Sequence, residues 1–140
     1  MNKKGFTLIE LLAVIAILAI LIVLAVPNIL NIFNDSKKNA FVIQAQSVFK
    51  TAETQYISKE LSPNPVAAFC NIGTSGTALD LDATSSLKYS IKFNNDGKIS
   101  SFYVTDGTYS ISKAASSNTT YSIDSISTVD TTKWAGSACD

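Results

Sequence analysis

The sequence predicts an α+β chain: one long, bent N-terminal α-helix, its first half able to cross a membrane, packed on a small antiparallel β-sheet of about four strands. Three observations lead there. An apolar run extends to Pro27; apolar residues then recur at spacings of three and four as far as Tyr56; and beyond Pro65, alternating segments are separated by Asn/Asp-Gly turns. A chain of 140 residues has room for one modest domain. Most of its excess apolar character precedes Pro27, whereas the remainder is rich in Ser, Thr, Asn and Asp.

The first element is the apolar run. From Phe6 to Val26 only Thr7 and Glu10 interrupt it. As a helix, this stretch spans about 31 Å, close to the roughly 30 Å hydrocarbon thickness of a bilayer. Lys3 and Lys4 precede it, and no basic residue follows until Lys37. That asymmetry predicts a cytoplasmic N-terminus and an exported remainder. A secretory signal peptide fits poorly, because no small-x-small cleavage triplet follows the run. Glu10 is the anomaly. A carboxylate in lipid costs a few kcal/mol, about 2.5–3.5 on insertion scales, and is a functional hypothesis by default. Hydropathy alone leaves two accounts open: a functional charge, or a side chain that snorkels to the headgroups.

The second element is the continuation of the helix. Pro27 lacks a backbone donor and crowds the preceding turn, which predicts a kink or local melting there. Beyond it Phe41, Ala45, Val48, Phe49, Ala52 and Tyr56 form a stripe that packs on the protein's own sheet, while Gln44, Gln46, Lys50, Glu53 and Gln55 suit a solvated or subunit-facing side. Pro63 and Pro65 end the pattern, so the helix is expected from Phe6 to about Glu60, roughly 80 Å long.

The third element is the sheet. Leu87, Tyr89, Ile91 and Phe93 alternate with polar residues; Asn94-Asn95-Asp96-Gly97 then marks a turn, with Ile99–Thr105 returning. Asp106-Gly107 marks a second, two-residue hairpin leading into Thr108–Ile111, and a fourth strand is expected around Tyr121–Ile126. Segment 66–86 reads as an irregular connection with at most a short strand at Leu79–Leu81.

Several functions are excluded by what the sequence lacks. With no histidine there is no Ser-His or Cys-His pair, so no enzyme and no cofactor is expected. Every basic residue is Lys, and beyond the pairs Lys3-Lys4 and Lys37-Lys38 they are scattered, which argues against nucleic-acid contact. The Asn94–Gly97 turn is not a calcium loop, since Lys92 and Tyr103 occupy positions that need carboxylates. Asp80-Leu81-Asp82 reads as two exposed acids around a buried Leu81. Without a G-x-x-x-x-G-K-[ST] loop, any ATP-driven motor is another protein. Cys70 and Cys139 have no zinc-like spacing, which leaves a disulfide or two free thiols.

Gly5-Phe6-Thr7-Leu8-Ile9-Glu10, after a short Lys-containing leader and before an unbroken apolar run, closely resembles the processing motif of type IV prepilins. The resemblance covers about the first sixty residues. It implies a leader peptide at 1–5, a transmembrane and filament-core helix at 6–27, an amphipathic half-helix at 28–62, and a globular head of the pilin fold at 63–140. It also implies that a prepilin peptidase cuts between Gly5 and Phe6 and methylates the Phe6 amine. Glu10 and Pro27 then fall where the family places its glutamate and a helix-bending proline. In a filament the Glu10 carboxylate would pair with the Phe6 amine of a neighbouring subunit. Cleavage leaves 9 lysines against 11 acidic residues.

The resemblance further favours a Cys70–Cys139 disulfide stapling the C-terminal region. A loop of that size stabilises by roughly 4 kcal/mol on the chain-entropy estimate. The implied partners are other pilin subunits, the prepilin peptidase, an inner-membrane assembly platform with its ATPase motor, and membrane lipid before assembly. The implied locations are the inner membrane for the precursor, with the head outside, and an extracellular pilus after assembly. Three functions are thus expected in order: a pilus subunit for adhesion, motility or aggregation; a pseudopilin of a secretion or DNA-uptake system; and, in a different class, a membrane-tethered binding domain that never polymerises.

Overall fold

The computed structural model describes residues 5–72, 76–81, 86–114 and 120–130. Among these described residues there are one long helix, α1 (Leu8–Glu60), and four strands: β1 (Ala68–Cys70), β2 (Lys88–Phe93), β3 (Ile99–Thr105) and β4 (Ser110–Lys113). The strands form one antiparallel sheet in the order β1-β2-β3-β4. This is the predicted α+β arrangement, and it matches the pilin fold. The chain divides into two compact units, Met1–Lys37 and Lys38–Asp140, each described by itself.

In the first unit, α1 is apolar and uncovered. Large apolar side chains from Leu8 to Phe33 are exposed, and the helix contains a window long and apolar enough, by length and composition, to cross a membrane. Helical assignment runs without interruption through Pro27. Near the end of the unit the Lys37 ammonium lies 5.3 Å from the centre of the Phe33 ring, a cation–π contact one turn apart.

In the second unit the helical stripe does what its spacing predicts. Phe41, Ala45, Val48, Phe49 and Ala52 are buried against the sheet, and Tyr56 packs on the same core. Phe49 meets Phe102 of β3 with ring centroids 5.4 Å apart, and Tyr56 stacks on Phe93 of β2 at 4.0 Å. Two glutamines expected on the solvated or subunit-facing side tie the helix to distant parts of its own chain. Gln46 Nε2 donates to the Ile126 carbonyl (2.7 Å), and Gln55 pairs with Asp80. Lys59 lies in the last turn, where a cation suits the helix dipole, and Pro63 follows three residues after the helix ends.

In β2 the alternation holds, with Tyr89, Ile91 and Phe93 buried and Lys88 exposed. In β3, both Ile99 and Phe102 are fully buried although they lie three positions apart, an odd spacing that should put them on opposite faces. The register explains it. Lys92 pairs with Ser101 but Phe93 pairs with Ile99, so Ser100 is an extra residue that resets the inward face. Asn94 Oδ1 accepts from the Asp96 and Lys98 amides (3.1 and 2.9 Å) and shapes the first hairpin turn. The second hairpin has a longer loop than the expected two residues: Asp106 Oδ1 accepts from the Thr108 and Tyr109 amides, and pairing resumes at Thr105↔Ser110.

Two strand expectations are corrected. The expected fourth strand at Tyr121–Ile126 is not a strand. The Tyr121 amide bonds to Ile99 O at 2.9 Å, but the Ser125 hydroxyl then bonds back to the Ser122 carbonyl and accepts from the Ser122 amide, turning the chain into a 3₁₀-helix over Ile123–Ser125. That turn delivers Ile126 into the core, where it is fully buried. The remaining strand is β1, inside the segment expected to be irregular; Phe69 is fully buried there, and its ring meets Phe93 edge-on at 6.0 Å. Leu79–Leu81 forms no strand. The Leu79 amide donates instead to the Tyr89 hydroxyl (2.7 Å), and Leu81 packs half-buried on the core.

Candidate functional site: the N-terminal segment

The helix begins at Leu8, so Gly5, Phe6 and Thr7 precede it outside regular structure. All three are exposed, and a Cβ built on Gly5 would meet nothing within 4 Å. The Gly5–Phe6 peptide thus lies before the helical hydrogen bonding, which starts at the Thr7 carbonyl. Phe6 itself is 85% exposed.

Thr7 is the residue that opens the helix. Its carbonyl accepts the first helical bond from the Leu11 amide (3.3 Å). Its hydroxyl accepts from the Glu10 amide (3.3 Å), and the Glu10 carboxylate reaches back to accept from both the Thr7 amide (2.8 Å) and the Thr7 hydroxyl (2.7 Å). This reciprocal arrangement is a capping box. It satisfies donors that a helix start otherwise leaves orphaned, and in an apolar medium an orphaned donor is expensive. It also gives the carboxylate partners within its own chain. The Thr7-Leu8-Ile9-Glu10 spacing is the sequence signature of such a box, so the role of Thr7, like that of Glu10, has a local signal.

Gly5 and Phe6 thus precede the first turn, which Glu10 caps through Thr7, while Pro27 lies farther along α1. Cys70 is buried at the end of β1; Cys139, its expected partner, lies outside the described residues. Among the described residues, no three His, Cys, Asp or Glu side chains gather in a group able to hold a metal ion.

Residues 1–26 match the family described as the prokaryotic N-terminal methylation motif. No curated protein and no solved structure matches the chain. The matched segment contains the Gly5–Phe6 peptide, the Thr7–Glu10 box and most of the exposed apolar helix. Residues 1–26 therefore carry a prokaryotic N-terminal methylation motif, which supports reading the chain as a type IV pilin-like protein.

Proposed function

We propose that the chain is a structural subunit of a type IV pilus, held in the membrane by its N-terminal helix and assembled from there into an extracellular filament. The observation that carries this reading is a carboxylate, Glu10, held at the start of an apolar helix whose large side chains are uncovered. Such a surface is compatible with lipid and equally with the apolar helices of other subunits. Prepilin peptidase cleaves after Gly5 and methylates Phe6, leaving a cationic amine next to Thr7. In the filament that amine on one subunit pairs with Glu10 of its neighbour. Deleting one partner of a charge pair in an apolar core costs about 3–5 kcal/mol, enough to make the pair a register device for adding subunits. Pro27 allows the helix to bend as the stalks pack. A Cys70–Cys139 disulfide, formed after export, ties the β1–β2 connection to the C-terminal region.

The test is Glu10→Gln in the producing cell. Mass spectrometry of the chain should show Phe6 still exposed by cleavage, while electron microscopy shows surface filaments lost. Filaments at normal yield from the variant would overturn the assembly role. Wild-type fibres confined to the cell envelope, with none on the surface, would replace the pilus by a pseudopilin. The absence of any fibre, with no effect of Glu10→Gln, would point to a tethered binding domain.

A further inference from the structure

The two edges of the sheet are treated differently. At β1 the outward Cys70 amide donates to the Thr77 carbonyl (2.9 Å), an ordinary main-chain cover. At β4, the last strand on the other side, one residue performs the cover with two different groups. The Asp130 amide donates to the Ser110 carbonyl (2.8 Å), and the Asp130 side-chain carboxylate accepts from the Ser112 amide. These two bonds flank Ile111, which is fully buried. A strand running parallel to β4 would bond the same two groups with the amide and the carbonyl of a single residue. Here a carboxylate stands in for that carbonyl.

The substitution has a consequence. A real fifth strand would present its own outer edge to the next chain, and the sheet could grow. Asp130 closes the pair of groups around Ile111 while placing a negative charge beside the edge, a combination that discourages further strand pairing. The latch is held from within: Val129 packs on the core and Ile126 is fully buried, with its carbonyl held by Gln46.

We infer that Asp130 is an edge latch, and that its release turns β4 into a strand-accepting surface for a second copy of this chain. Association through the head would then be suppressed in the folded subunit, leaving contacts between copies to other surfaces. The inference is independent of the stalk and does not rest on the filament reading.

The test uses the full chain in detergent micelles, comparing wild type, Asp130→Ala and Asp130→Asn, with exposed Asp124→Ala as the control. Asp130→Ala removes the acceptor for Ser112 but keeps the Asp130 backbone donor; Asn restores an acceptor oxygen. Hydrogen exchange at the Ser112 amide should accelerate about tenfold or more in Asp130→Ala, the size expected for losing a bond to a charged acceptor, and largely recover in Asp130→Asn. Light scattering should show concentration-dependent dimers or larger species for Asp130→Ala only. An unchanged Ser112 exchange rate, or faster exchange without association, would overturn the latch. Should Asp130→Ala not fold, wild-type exchange in rising denaturant decides the matter. A latch opens Ser112 at lower denaturant than Ile91 or Phe102, whereas simultaneous opening contradicts it.

Discussion

The ring of Tyr56 lies against the β2–β3 hairpin so closely that a Cβ on Gly97 would stand 3.2 Å from Tyr56 Cε1. Gly97 also has φ +72°, in the left-handed region. Two constraints, one of backbone and one of packing, therefore meet at one residue of the hairpin and join it to α1, and Gly107 separates them. There φ is +90°, but nothing lies within 4 Å of the added carbon. Gly107→Ala should cost about 1–2 kcal/mol, the backbone term alone. Gly97→Ala should cost more, and Tyr56→Leu should remove only the excess. Chemical denaturation of Gly107→Ala, Gly97→Ala, Tyr56→Leu and the Gly97→Ala/Tyr56→Leu double variant, the last three read with wild type as a double-mutant cycle, checks this.

Thr7 should matter to the start of the helix as much as Glu10 does. Thr7→Val keeps the shape but removes the hydroxyl that both accepts from the Glu10 amide and donates to its carboxylate. Losing the cap costs about 1 kcal/mol. Amide exchange over Leu8–Leu11 in micelles should rise in Thr7→Val and return towards wild type in Thr7→Ser. Equal protection in all three would show that the box contributes nothing.

Gln55 pairs with Asp80 through both ends of its amide: Nε2 donates to the Asp80 carbonyl (3.0 Å) and Oε1 accepts from the Asp80 amide (3.1 Å). Gln55→Glu keeps the acceptor and loses the donor; Gln55→Leu loses both. Each bond is worth about 0.5–1.5 kcal/mol, so the losses should rank Leu above Glu. The Asp80 amide should exchange faster in Gln55→Leu, and the same ranking should appear in denaturation midpoints.

Burial pushes the Tyr89 phenol above its ordinary value, with the Leu79 amide, which donates to its oxygen, pulling part of the way back. The neutral phenol is the form that the fold favours. Its contribution is therefore complete below the unfolded tyrosine value of about 10 and is lost as pH rises through the higher folded value. The head should lose stability above about pH 10, and Tyr89→Phe should lose less over the same interval. At neutral pH, however, Tyr89→Phe should be the weaker protein by about 1–3 kcal/mol, because the buried Leu79 amide is left without its acceptor. Urea titrations at neutral and alkaline pH test both signs.

What was legible in the sequence is what depends on neighbours along the chain. The buried stripe from Phe41 to Ala52, the alternation around Tyr89 and Ile91, and the Asn94–Gly97 turn each follow from local periodicity or turn chemistry, and each is present. The strand at Ala68–Cys70 was not legible. Three residues carry no period, and β1 exists because Phe69 fills the core while the neighbouring backbone pairs with β2. Tyr121–Ile126 read as a strand for the opposite reason: its alternation was local, but the Ser122–Ser125 bonds and the demand of Ile126 for the core turned it into a helix.

The N-terminal identity and the bipartite character of this chain were determined by sequence alone, because a processing motif and an apolar run of membrane length are contiguous properties. The tertiary structure alone decided how the head is closed. Gln46, Gln55, Asn71, whose side-chain amide donates to the Leu87 carbonyl (2.7 Å), and Asp130 are polar residues with no distinguishing pattern, and each finds a backbone partner 16 to 80 residues away. Bonds of that separation are set by where the folded chain brings its unpaired amides and carbonyls, and one-dimensional spacing does not encode that placement.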